Sequence, residues 1–170
     1  MRIINNTPVT PKWGRVAVSV ELAHGTREGW DKLTGMYEHT IDAKGRLFIP
    51  MRLREELGDP FYVTLSMEKC LTAYSIEGWA KFKEKMQTLP IHEKSRLRPL
   101  FTHASKCDLD SQGRILLTQY MRKYAELDKN VTVVGVDEYA EFWDSERWAK
   151  VDAAETTPEN IAGVFKELDI

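Results

Sequence analysis

The chain of 170 residues is long enough for one moderate domain or two small ones, and its 42% hydrophobic content suffices for a real core. Its 24 basic and 26 acidic side chains nearly cancel, so net charge alone marks neither a nucleic-acid binder nor an acidic tail protein. No apolar run of membrane-spanning length and no secretory signal pattern is present, and Cys70 and Cys107 lack metal-ligand spacing, which points to a reducing cytoplasm.

Taken in chain order, residues 1–35 hold five basic and three acidic groups, scattered Pro and Gly, and one short apolar alternation, Val16–Leu22. They read as a poorly packed N-terminal extension. A strand is expected over Tyr37–Ile41, followed by the turn Asp42-Ala43-Lys44-Gly45-Arg46. Asp binds its own backbone two residues on, and Gly supplies positive φ without strain. Leu47-Phe48-Ile49 then forms a second strand. Pro50 opens a helix of one or two turns that Gly58 stops. Strands over Phe61–Ser66 and Leu71–Tyr74 follow, rich in the residues that half-buried strands prefer. Trp79, Phe82 and Met86 share one face of the next helix.

The same order then repeats. The turn recurs 68 residues on as Asp110-Ser111-Gln112-Gly113-Arg114, and Leu47, Ile49, Leu53, Arg54 and Val63 match Ile115, Leu117, Met121, Arg122 and Val131. With one residue inserted, Glu77 and Trp79 match Glu146 and Trp148. The second copy has strands at Lys106–Leu109, Ile115–Leu117, Val131–Val136 and Tyr139–Trp143, and Thr118 caps its short helix. The expected organisation is an extension (1–35), a first repeat (36–89), a basic linker helix (90–103), a second repeat (104–148) and an acidic tail (149–170). In the tail, Thr157 and Pro158 start a helix whose Ile161, Val164, Phe165 and Leu168 form an apolar stripe for its own body or a neighbouring subunit. One repeat buries little alone, so two copies are expected to pair about a pseudo-two-fold axis and close a small barrel with both turns on one face.

An Arg that leaves such a turn suits bidentate contact with phosphate or guanine. The bland alternative is a local Asp–Arg ion pair that holds the hairpin shut, and the two roles are compatible. Lys44 adds a charge that Gln112 does not. Arg54 and Arg122, with Arg52 and Lys123, stand on the short helices as a solvated face or as phosphate contacts. The run Lys94-Ser95-Arg96-Leu97-Arg98 is a linker coating or a further phosphate contact. His39, His92 and His103 show no metal-ligand spacing, and Trp79, Trp148 and Trp143 read as core. No nucleophile elbow or P-loop is present, so neither a catalytic residue nor a cofactor is expected.

The stretch Tyr37 to Pro50, the second motif His103 to Arg114, and the end at Phe142-Trp143-Asp144 with Arg147-Trp148 resemble the MraZ family over about residues 36–148. The resemblance implies an α+β, mainly β fold, in which two tandem AbrB/SpoVT-like units form a swapped-hairpin type barrel with short flanking helices. It implies a bacterial transcription regulator of the division and cell-wall gene cluster, commonly a repressor, nucleoid-associated in the cytoplasm. Its partners would be double-stranded DNA with direct repeats upstream of its own operon and further copies of itself in a ring. Carried over by motif, Arg46 and Arg114 face DNA, Lys44, Arg54 and Arg122 assist, and Asp42, Gly45, Asp110 and Gly113 shape the turns. Family members begin near Met36, so the preceding residues are expected to be leader sequence read from an upstream start. Two other readings compete: an antitoxin-like module that binds DNA and a protein partner, and a peptidase with Asp42 and Asp110 as a dyad. The dyad requires two close carboxylates sharing a proton.

Overall fold

The computed structural model describes residues 32–170, so the readings of residues 1–31, including the Val16–Leu22 alternation, lie outside the described residues. The first repeat holds β1 (Met36–Thr40), β2 (Arg46–Phe48), α1 (Met51–Leu57), β3 (Phe61–Leu65), β4 (Leu71–Tyr74) and α2 (Ile76–Gln87). A 3₁₀ turn at Lys94–Leu97 and α3 (Arg98–Thr102) form the linker. The second repeat holds β5 (Ser105–Cys107), β6 (Arg114–Leu116), α4 (Gln119–Tyr124), β7 (Asn130–Val136), β8 (Tyr139–Asp144) and α5 (Ser145–Glu155); α6 (Pro158–Glu167) ends the chain. The fold is α+β, with strands dominating the core.

Several helix ends follow from local chemistry. Gly58, at φ 77°, ends α1 where a side chain would be strained, and its N–H returns to the Arg54 carbonyl. The hydroxyls of Ser75, Thr118 and Thr157 cap α2, α4 and α6 by accepting from the N–H groups of Gly78, Met121 and Asn160. Pro50 takes the cap position of α1 rather than its first turn.

A six-stranded antiparallel sheet runs in the order β1-β7-β8-β4-β3-β5, and β2 pairs with β6 in a separate ribbon. The repeats exchange strands: β1 of the first pairs with β7 of the second, and β5 of the second pairs with β3 of the first. The pseudo-two-fold axis is visible in the register. Thr72 faces Glu141 between the pairs Leu71–Phe142 and Ala73–Ala140. Leu47 faces Ile115 between the pairs Arg46–Leu116 and Phe48–Arg114.

The expected closed barrel is not formed. Strands β1 and β5 remain the two edges of the sheet, because each turns at once into the β2–β6 ribbon, which pairs with itself. The Ile41–Leu47 bridge joins ribbon to sheet next to the first turn. Another expectation moves by two residues. Tyr62 faces Lys106 as Thr132 faces Glu38, so Val63 corresponds to Val133 and not to Val131. The loop after α4 (125–129) is longer than that after α1 (58–60), which shifts β7 without changing its hydrophobic pattern.

Matched positions of both repeats fill one core: Leu47, Ile49, Leu53 and Leu57 with Ile115, Leu117, Met121 and Ala125, all buried. Trp143 is fully buried and Trp79 nearly so. Trp148, expected in the core, is half-buried and packs against Trp143 in a second cluster with Cys70 and Val134. Leu33, from the expected loose extension, is buried and bridges to Asp137. The α6 stripe forms as expected, yet Ile161, Val164, Phe165 and Leu168 are about half exposed, so the described residues leave it partly uncovered. Both cysteines are free and buried; burial pushes the Cys70 thiol up to about 12 and the Cys107 thiol up to about 11. Among the described residues, no helix is long and apolar enough to cross a membrane.

Candidate nucleic-acid interface

The two Asp-x-x-Gly-Arg turns have the same internal construction. Asp42 Oδ1 accepts from the backbone N–H groups of Lys44 (3.0 Å) and Arg46 (2.9 Å), and its Oδ2 accepts from Arg46 Nε at 2.6 Å. Asp110 does the same with Gln112, Arg114 and Arg114 Nε, at 2.9, 2.9 and 2.8 Å. The Asp carbonyl of each turn accepts from its Gly N–H at 2.9 Å. The carboxylate therefore satisfies the donors that a tight turn leaves unpaired. The local ion pair exists in both copies.

The turns also meet. Arg114 Nη1 lies 3.7 Å from Asp42 Oδ2, across the pseudo-two-fold axis. Backbone bonds tie each turn to the opposite strand: Ile49 N–H donates to Gly113 O at 2.9 Å, and Leu117 N–H to Gly45 O at 3.0 Å. Expected neighbours on one face, the turns are joined side by side.

The guanidinium of Arg122 packs beneath Gly45, and that of Arg54 beneath Gly113, each reaching from one repeat to the other's turn. Arg54 also lies 5.2 Å above the Phe48 ring. Both arginines bury their Nε atoms without a hydrogen-bond partner among the described residues. Sequence reasoning placed these residues on a helix face and missed the crossing. The available signal was the same Arg at the same place in both copies.

Both glycines have positive φ, 83° at Gly45 and 75° at Gly113. A Cβ at Gly113 would run into the Arg54 guanidinium, whereas at Gly45 the nearest Arg122 atoms stand 3.0 Å away. Gly113→Ala should cost about 1–2 kcal/mol through its backbone alone. Its full loss should exceed that of Gly45→Ala, as urea unfolding of the two variants will show.

Hydrogen bonds from the Arg46 backbone hold the Asp42 carboxyl below its ordinary range, aided by the Arg46 side chain and the Lys44 N–H and opposed by partial desolvation. The N–H and side chain of Arg114, with the Gln112 N–H, act likewise on Asp110. A shared-proton dyad needs one carboxyl held above its ordinary range, and these donors hold both Asp42 and Asp110 below it. A depressed folded value gives stability that is complete above the ordinary value of 3.8 and is lost as pH falls through the lower folded values. Acid unfolding should therefore steepen below that point, and Asp42→Asn with Asp110→Asn should flatten it in a circular-dichroism pH titration.

Lys44 and Gln112 are exposed at the two tips. Among the described residues, no cluster of His, Cys, Asp and Glu is arranged to hold a metal ion. In the linker, Lys94, Arg96 and Arg98 are exposed, and Thr64 Oγ1 donates to Leu100 O at 2.7 Å, fastening α3 over β3.

The family model for the antitoxin-like MraZ protein matches twice, at residues 33–98 and 100–161. The transcriptional regulator MraZ of Moorella thermoacetica is 48% identical over 138 residues, covering 79% of this chain and 96% of that protein. Those of Halothermothrix orenii and Caldicellulosiruptor saccharolyticus are 40% and 42% identical, over 80% and 81% of this chain and 98% and 99% of their own lengths. Two matched repeats, a strand-exchanged α+β fold and relatives aligned over nearly their whole length establish that the chain belongs to the MraZ family.

Proposed function

We propose that the protein is a transcription regulator that binds double-stranded DNA through its paired turns. The observation that carries this is the joining of two Arg-bearing turns into one surface across the pseudo-two-fold axis. Relatives named transcriptional regulators supply the biological class. Arg46 and Arg114 form the centre of the contact surface, Lys44 adds charge at one tip, and Arg54 and Arg122 lie beneath as positive support. Asp42, Gly45, Asp110 and Gly113 fix the turns. The target is a set of direct repeats upstream of its own operon, in the division and cell-wall cluster, where binding represses. Copies of the chain assemble in a ring, so successive repeats meet successive subunits and gain avidity. The exposed α6 stripe supports a contact between protomers. The protein works on the nucleoid and is not an enzyme.

Contacts with phosphates make affinity fall steeply with salt. Gel-shift binding of the full chain to its own upstream region at two salt concentrations tests the reading. Salt-sensitive binding is expected. No shift by folded, assembled protein would overturn it, and co-purification of a small protein partner would support the antitoxin-like alternative.

A further inference from the structure

The two tips are built alike but are not chemically equal. Arg46 donates one side-chain hydrogen bond, from Nε to Asp42, and among the described residues its terminal nitrogens donate to no protein group. Arg114 is more fully engaged. Its Nε and Nη2 both stand 2.8 Å from Asp110 Oδ2, and its Nη1 faces Asp42 at 3.7 Å. Its side chain is also less exposed, 24% against 33% for Arg46. The first turn thus presents an open guanidinium fork beside the exposed Lys44. On the second turn the fork is turned toward two carboxylates.

What remains free at the second tip is Gln112. Its backbone N–H is bound by Asp110, which fixes the Cα position, while its side chain is exposed and has no hydrogen-bond partner among the described residues. A Gln amide has a donor and an acceptor side by side. That pair matches the N6 and N7 edge of adenine in the major groove, a match that neither Lys nor a carboxylate-bound Arg makes.

We propose that Gln112 is a specificity-determining residue that reads an adenine, while the first turn supplies charge through Lys44 and an open fork through Arg46. Arg114 adds charge to the contact surface and also ties the second turn to Asp42 of the first. This division of labour rests on the DNA-binding reading above.

The test is selection from a randomised double-stranded DNA library by the full chain, run with wild type, Gln112→Ala, Gln112→Arg and Lys44→Ala, each checked for folding by circular dichroism. The wild-type consensus should contain an A·T pair whose preference, at least about ten-fold, disappears in Gln112→Ala while other positions persist. Gln112→Arg should move that position toward G·C, because Arg pairs with guanine O6 and N7. Lys44→Ala should leave the consensus intact and reduce the salt slope by about one. Identical consensus sequences for wild type and Gln112→Ala would overturn the inference while leaving the DNA-binding reading standing. A folded wild type that enriches no sequence would overturn both.

Discussion

A chain carrying Arg46→Ala together with Arg114→Ala should remain folded and lose at least about 100-fold in affinity for its upstream DNA. The fold is expected to survive because the hairpins do not depend on the arginine side chains alone. In each turn the Asp carboxylate also accepts two backbone N–H groups, and the Asp and Gly backbone bonds are untouched. The ion pairs are solvent-accessible, so their removal changes stability little. Binding is different, since both substitutions remove positive charge from the proposed contact surface and leave Asp42 and Asp110 without their nearest cations. Two uncovered carboxylates there add repulsion to lost attraction. A filter-binding titration beside a thermal melt separates the effects. Undiminished binding by a folded variant would move the DNA contact away from the turns.

The second large effect concerns stability. Leu47→Ala should cost about 2–5 kcal/mol, the usual loss for a buried Leu, and Ile115→Ala a similar amount. Each is fully buried and faces the other across the β2–β6 ribbon. Because they are in contact, the double variant should lose less or more than the sum of the two, by a measurable coupling energy. The entire chain should also respond as one unit. Urea unfolding followed by fluorescence, with tryptophans in both repeats, should show one shifted transition. Two separate transitions would mean that the repeats fold independently, contrary to their exchanged strands.

Much of this arrangement is legible in the chain itself. The duplicated turn announces the pseudo-symmetry, and the residues that follow each turn become matched core positions, as Leu53 and Met121 do. Asp-to-backbone bonding in the turns follows from local chemistry, and so do the caps at Thr118 and Thr157. What sequence matching misses is set by distant partners. The shift that pairs Val63 with Val133 depends on loop lengths outside the strands. The crossing of Arg54 beneath Gly113 depends on the relative placement of two repeats, which no local pattern encodes. Edge strands remain open because the ribbon takes its own partner, a choice between pairings of similar local propensity.

The exchange of β1 and β5 has a consequence for how the molecule could diverge. A free half-length chain with these strands would complete its sheet only by finding a second molecule, so its folding would depend on concentration. It would also present identical tips, since both would come from one sequence. Joining the halves in one polypeptide makes the pairing intramolecular and removes the requirement for identity. Each half can then change its tip without changing the other, and the Lys44 and Gln112 tips are such a departure. A covalent link between two interlocked halves thus converts a symmetric object into one with a front and a back.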